Sequence, residues 1–148
     1  MRIIVLDPGE TTGKTTWEFQ NNHLRLLDGE LIGNYLEYDW DMLLEYDLVL
    51  IEDFLLYPNK SERMIFNRFV PAKILGIVEY ICYKNKIPLE KQRAIDVKNF
   101  ISLKVLKDLK CWFPSEHLKD SSKHCLTYFV KKYKDKLIVN DIKISDYL

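Results

Sequence analysis

Two hydrophobic runs that each end in a carboxylate constrain this chain more than any other feature. Arg2-Ile3-Ile4-Val5-Leu6 stops at Asp7, and Leu48-Val49-Leu50-Ile51 stops at Glu52. Short β-branched runs that break off at a turn read as buried strands. A carboxylate at the end of such a strand is costly to desolvate unless something positive meets it. Two of them on neighbouring strands repel, which disfavours ionising both without a cation. A third polar cluster, His117-Leu118-Lys119-Asp120-Ser121-Ser122-Lys123-His124, spaces His and Asp three or four residues apart. That spacing puts them on one face of a helix. Carboxylates without a partner in sequence, beside a histidine-bearing helix, suggest a divalent-metal site.

The other segments fit a mixed sheet. Residues 2–7 read as a strand and Pro8-Gly9 as a turn, with strands over Lys14 to Gln20 and Leu24 to Leu31 joined at Asn21-Asn22, a hairpin signal. Further strands are expected over 47–52 and Leu89 to Gln92. Helices are expected over Tyr35 to Tyr46, Phe69 to Lys84, Ala94 to Ile101 and Lys119 to Tyr133. In the second of these Ile74, Ile77, Val78 and Ile81 keep helical spacing, and Pro71 is tolerated in a first turn. This order predicts an α/β fold: a three-strand antiparallel meander, then parallel strands reached by crossover helices, five strands in all. With 148 residues and no repeat or linker, residues 1–148 are expected to form one domain.

Composition excludes some classes. No apolar stretch reaches the roughly 18 residues of a membrane span, and the start lacks a signal-peptide pattern. Cys82, Cys111 and Cys125 have neither CxxC nor zinc-ligand spacing, and are expected to be reduced thiols of a cytoplasmic protein. Zero net charge hides an asymmetry. Residues 1–57 hold 3 Lys and Arg against 12 Asp and Glu, or −9, whereas residues 58–110 hold 12 against 5, or +7. A basic surface for a polyanion beside an acidic pocket would look like this. So would lysine-rich solvated helix faces, and charge alone does not separate the two.

Gly9-Glu10-Thr11-Thr12-Gly13-Lys14-Thr15 superficially suggests a phosphate-binding loop. Such a loop needs four residues between its glycines, and here there are three. Lys14 and Thr15 also read as strand, so no nucleotide cofactor is expected. Asp7-Pro8-Gly9-x-Thr11-Thr12-Gly13 is better explained as a turn that presents Asp7 at the end of the sheet. Taken singly, each acidic motif is also compatible with a solvated strand end or a polar helix N-terminus. Their joint occurrence in this order narrows the choice.

Together, Asp7-Pro-Gly-x-Thr-Thr-Gly, the strand ending in Glu52 and His117-x-x-Asp120 before an apolar helix resemble the RuvC-like Holliday-junction resolvases. The short phage-encoded forms are most similar, and the resemblance spans roughly residues 2 to 130. It implies an RNase H-like fold in which the five-stranded sheet is flanked by helices. It also implies a metal-dependent endonuclease that hydrolyses phosphodiester bonds at four-way junctions. The setting would be the bacterial cytoplasm or a phage-infected host.

By that resemblance Asp7, Glu52 and Asp120 are metal-binding carboxylates and His117 is a ligand or proton carrier. His124 either joins the site or packs the helix. Asp53 is a possible bystander. Ser121 departs from the Ala of many relatives. Hard Mg²⁺ or Mn²⁺ suits these donors, and two ions about 4 Å apart would serve the hydrolysis. Lys60, Arg63, Arg68, Lys73, Lys91, Arg93 and Lys98 are expected to hold DNA phosphates. Phe54, Tyr57, Phe66 and Phe69 would stack on unpaired bases or pack in a core or dimer. Relatives work as homodimers, which the wide apolar surface of helix 69–84 suits. The rival readings are a nuclease for other branched DNA or RNA–DNA hybrids, and a junction-binding module without catalysis.

Overall fold

Burial on both sides of the two acid-ended runs sets the layers of this fold, a computed structural model describing residues 1–55 and 68–147. Successive side chains of a strand point to opposite faces. In β1 (Arg2–Asp7), Ile3 and Val5 join one core cluster while Ile4 and Leu6 join another. β4 (Leu48–Glu52) divides in the same way, with Leu48 and Leu50 on one side and Val49 and Ile51 on the other. Strands that are apolar on both faces need cover on both. On the even face of β1 the cover is α1 (Val70–Asn85), through Ile74, Leu75, Val78 and Cys82. On the odd face it is α4 (Glu116–Tyr133), through Leu126, Phe129 and Val130.

β2 (Thr12–Gln20) and β3 (His23–Ile32) complete the antiparallel meander, turning at Asn21 and Asn22, both at positive φ. β4 lies parallel to β1 on its other side, and β5 (Leu89–Gln92) lies parallel to β4. The expected α/β arrangement therefore forms. Two strands of two residues each, β6 (Ile138–Val139) and β7 (Ile142–Lys143), extend the sheet from five strands to seven, in the order β5-β4-β1-β2-β3-β6-β7. Strands so short carry no hydrophobic period. Their hairpin shows only in Asn140 and Asp141, both at positive φ.

Two expected helices are corrected. Tyr35 to Tyr46 yields only a 3-10 stretch, Trp40–Glu45, because the Trp40 indole N–H donates to the Tyr35 carbonyl at 2.7 Å. That bond folds the segment back and takes the Tyr35 carbonyl that a helical ladder would have used. Ala94 to Ile101 is helical only over α2 (Ala94–Val97). The chain then restarts as α3 (Leu103–Asp108), with Ser102 Oγ accepting from the Val105 amide. Among the described residues no helix is long and apolar enough to cross a membrane, and all three cysteines are free and buried.

Candidate active site

Strand register builds the site before any helix is considered. Gly13 pairs with Asp7 across β2 and β1. β1 and β4 pair up to Leu6 and Ile51, so Asp7 and Glu52 come next, side by side. Glu52 in turn pairs with Gln92 of β5. Asp7 shares the face of Ile3 and Val5, and Glu52 that of Leu48 and Leu50. The four residues Gly13, Asp7, Glu52 and Gln92 thus form a row on the α4 side, at the roughly 4.8 Å steps of a sheet.

α4 lies along this row because Gly13 lets it. A Cβ on Gly13 would sit 2.3 Å from the His117 carbonyl oxygen, and one on Gly9 would sit 3.2 Å from the His117 ring. Neither glycine has positive φ; Gly13 is needed for the close approach of α4, whereas a Cβ on Gly9 would first meet the Thr11 carbonyl oxygen of its own turn, at 2.9 Å. The helix starts at Glu116, one turn earlier than the sequence suggests, which puts His117 in its first turn. His117, Asp120 and His124 then follow at i, i+3 and i+7 on one face.

The structure brings these side chains to the row in order. His117 Nδ1 lies 2.8 Å from Asp7 Oδ2. His124 Nε2 lies 2.9 Å from Glu52 Oε2, and its Nδ1 lies 3.0 Å from Gln92 Oε1. Asp120 falls between the histidines with a half-exposed side chain, 3.5 Å from Lys123 Nζ. Both ring nitrogens of His124 are engaged, so neither presents a free lone pair to an ion. Burial, followed by the charge of Glu52, pushes the Asp7 carboxyl up to about 6 against the pull of His117, and Asp120 adds to the rise. Among the described residues no lysine or arginine is one of the groups that shift Asp7. Among the described residues no three His, Cys, Asp or Glu side chains form a ready-made metal cage. The donor chemistry nevertheless fits a hard divalent ion, since a cation would relieve the cost of ionising Asp7.

A buried chain of hydrogen bonds holds α4 against β1 and β2. The Val5 carbonyl only accepts, so Ser121 donates to it at 3.0 Å. Ser121 Oγ therefore accepts from Thr15 Oγ1 at 2.6 Å, and Thr15 Oγ1 accepts from the Trp17 indole at 2.9 Å. The Ser121 departure noted in the sequence is thus a structural fastener beside Asp120. Ser121→Ala should lower stability by about 1–3 kcal/mol, read by urea unfolding, because it leaves the buried Thr15 hydroxyl without its acceptor.

The basic residues are dispersed. Arg93 and Lys98 border a cleft of about 490 Å³ that reaches Glu52, with Phe54, Pro71 and Ile95 among its apolar walls. Arg93 also grips Asp96 through two bonds, at 2.8 and 3.1 Å. Arg68 and Lys73 border a separate cleft with Glu10 and Tyr35. Lys91 pairs with Glu79 at 3.6 Å. Phe69, at φ 52 just before α1, meets Phe54 edge to face at 6.2 Å. Lys60 and Arg63, with Tyr57 and Phe66, lie outside the described residues. Lys14 of the phosphate-loop-like run is buried in β2, ion-paired with Glu30 and donating to Tyr38 Oη at 3.1 Å. Gln92 is the site residue that sequence reasoning missed. Its signal was its place at the end of a strand, as Glu52 ends its own.

No protein-family model matches this sequence, and no curated protein matches it. Solved structures do. Thermus thermophilus RuvC superposes with a TM-score of 0.63 at 18% identity, over 89% of this chain and 96% of that one. The same protein in complex with a Holliday junction substrate gives 0.63 and 18%, over 90% and 96%. A fowlpox virus resolvase in complex with Holliday junction DNA gives 0.56 at 14% identity, over 90% of this chain and 100% of that one. The chain has the RNase H-like fold of these RuvC-type structures.

Proposed function

We propose that this protein is a divalent-metal-dependent, structure-selective DNA endonuclease that resolves four-way junctions. The carrying observation is the row of Asp7 and Glu52 on adjacent parallel strands, overlaid by His117 and Asp120. The fold shared with two resolvases solved on Holliday-junction DNA supports the choice of substrate.

Asp7, Glu52 and Asp120 would hold the ions, Mg²⁺ or Mn²⁺. When bound, such ions supply an activated water and neutralise charge on the leaving oxygen. The chain's own part begins with His117. Its Nδ1–H donates to the Asp7 carboxylate, which leaves Nε2 with a lone pair on a half-exposed ring. Nε2 would then take a proton from an attacking water. Phe54 and Phe69 stand near the cleft that opens at Glu52, where an unpaired base can stack. Arg93 and Lys98 on the same cleft would hold phosphates without reading bases.

A four-way junction offers two scissile strands, and a homodimer supplies two sites. α1 leaves Tyr80 and Tyr83 exposed beside the half-buried Ile77 and Ile81, a surface for a second copy. Sedimentation is expected to give twice 17.7 kDa at micromolar concentration. A monomer that still cuts junctions would count against this assembly.

Cleavage of a synthetic four-way junction, a fork, an RNA–DNA hybrid and a plain duplex, each with Mg²⁺ or Mn²⁺, tests the function. Preferred cutting of the junction is expected. Equal cutting of all four would replace resolution by a looser nuclease, and binding without cutting would leave a junction-binding module. Affinity should fall steeply with salt, and Lys98→Ala should reduce the log–log slope by roughly one. An unchanged slope would mean that the DNA does not lie on this cleft.

A further inference from the structure

We propose that Gln92 and His124 are positioning residues that fix the Glu52 carboxylate for the metal site, acting in series from the edge of the sheet. The inference rests on the nuclease reading above and assigns a role to two residues that would not touch metal or DNA. His124 is 1% exposed, and both of its ring nitrogens are hydrogen-bonded. An ionised carboxylate only accepts, so His124 Nε2 carries a hydrogen and donates to Glu52 Oε2. The other nitrogen faces the Gln92 carboxamide, which can present either its oxygen or its NH₂ to the ring. Either orientation leaves the Nε2 donor aimed at Glu52.

Glu52 needs such help more than Asp7 does. Asp7 is buried and held by His117, whereas the Glu52 side chain is 28% exposed at the end of β4, beside the 490 Å³ cleft. Free rotation there would cost ordering entropy at each binding event. A buried imidazole on the rigid face of α4 limits that rotation, and Gln92 limits the ring. Register explains why Gln92 can do this: it pairs with Glu52 directly across β5 and β4, on the same face. Partners that orient ligands in this way typically change metal affinity or activity 10–100-fold when removed.

Mn²⁺ affinity by calorimetry and junction cleavage, measured on the full chain, test the proposal. His124→Phe and Gln92→Met are each expected to weaken Mn²⁺ binding by at least tenfold and to lower kcat, with KM for the junction unchanged. Because Gln92 acts through His124, adding Gln92→Met to His124→Phe should cost nothing further. Gln92 lies on an edge strand and is only partly buried, so Gln92→Met keeps the test sharp should His124→Phe fail to fold. If Gln92→Met keeps wild-type Mn²⁺ affinity and kcat, the series is wrong. Folded variants that lose only melting temperature would make the pair structural and overturn the proposal. Wild-type protein that binds Mn²⁺ but leaves junctions intact refutes the nuclease reading instead, and the Mn²⁺ isotherms still judge the clamp.

Discussion

Asp7→Asn is expected to abolish junction cleavage, leave junction binding nearly intact, and make the metal-free protein more stable at neutral pH. Loss of activity follows from the proposed function, in which the removed charge would serve the metal and not the phosphates. The gain in stability follows from the carboxyl's position. Burial and the charges of Glu52 and Asp120 raise it from 3.8 to about 6, despite the opposing contact with His117. At about 1.4 kcal/mol per pH unit, ionising it costs the fold on the order of 3 kcal/mol. The sign is that of a raised acid. Protonated Asp7 contributes its stability fully below pH 3.8, and that contribution is lost as pH rises through about 6. Asparagine is never ionised. Thermal unfolding in chelator should therefore show the variant ahead by several degrees at pH 7.5, with the gap closing near pH 4. Mn²⁺ at a hundred times its Kd should recover about 2.7 kcal/mol for the wild type and far less for the variant. Substantial Mg²⁺-dependent cleavage by Asp7→Asn would defeat the assignment of Asp7.

Gly13→Ala should be the most damaging single methyl addition in the site. Its Cβ would fall 2.3 Å from the oxygen and 2.4 Å from the carbon of the His117 carbonyl, both of them backbone atoms. No rotamer relieves a clash with backbone, so α4 must lift at its first turn or β2 must give way. A cost of about 3 kcal/mol is expected. Cleavage should fall further than stability, because His117 and Asp120 ride on the displaced turn. Gly33→Ala is the control, since nothing lies within 4 Å of its Cβ and its φ is not positive. Urea unfolding and single-turnover cleavage of both variants decide the matter. Equal, small losses in the two would mean that the approach of α4 to β2 is not tight.

Much of this arrangement was legible in the chain. The runs ending at Asp7 and Glu52 showed central strands with acids at their ends, and the 117–124 cluster showed a helical face. These are local patterns, continuous apolar runs of strand length and a helical spacing of about 3.6, and a local pattern survives whatever it packs against. Where competing local bonds were cheap the pattern misled. Trp40 turned back to the Tyr35 carbonyl, and the helix expected over Ala94 to Ile101 stopped at Val97, before Ser102 started another. The C-terminal hairpin was too short to show any period at all.

What the sequence by itself determined was therefore which residues end strands and which share a helix face. Only the tertiary structure decided who meets whom. Parallel pairing of β1 with β4 and of β4 with β5 set Asp7, Glu52 and Gln92 in one row, although Gln92 is 40 positions from Glu52. The close approach allowed at Gly13 then set His117 on Asp7 and His124 on Glu52, drawing His124 into a hydrogen-bonded clamp. The physical reason is that register and helix seating are settled by non-local packing and by the volume of single side chains. Neither leaves a periodic mark along the chain.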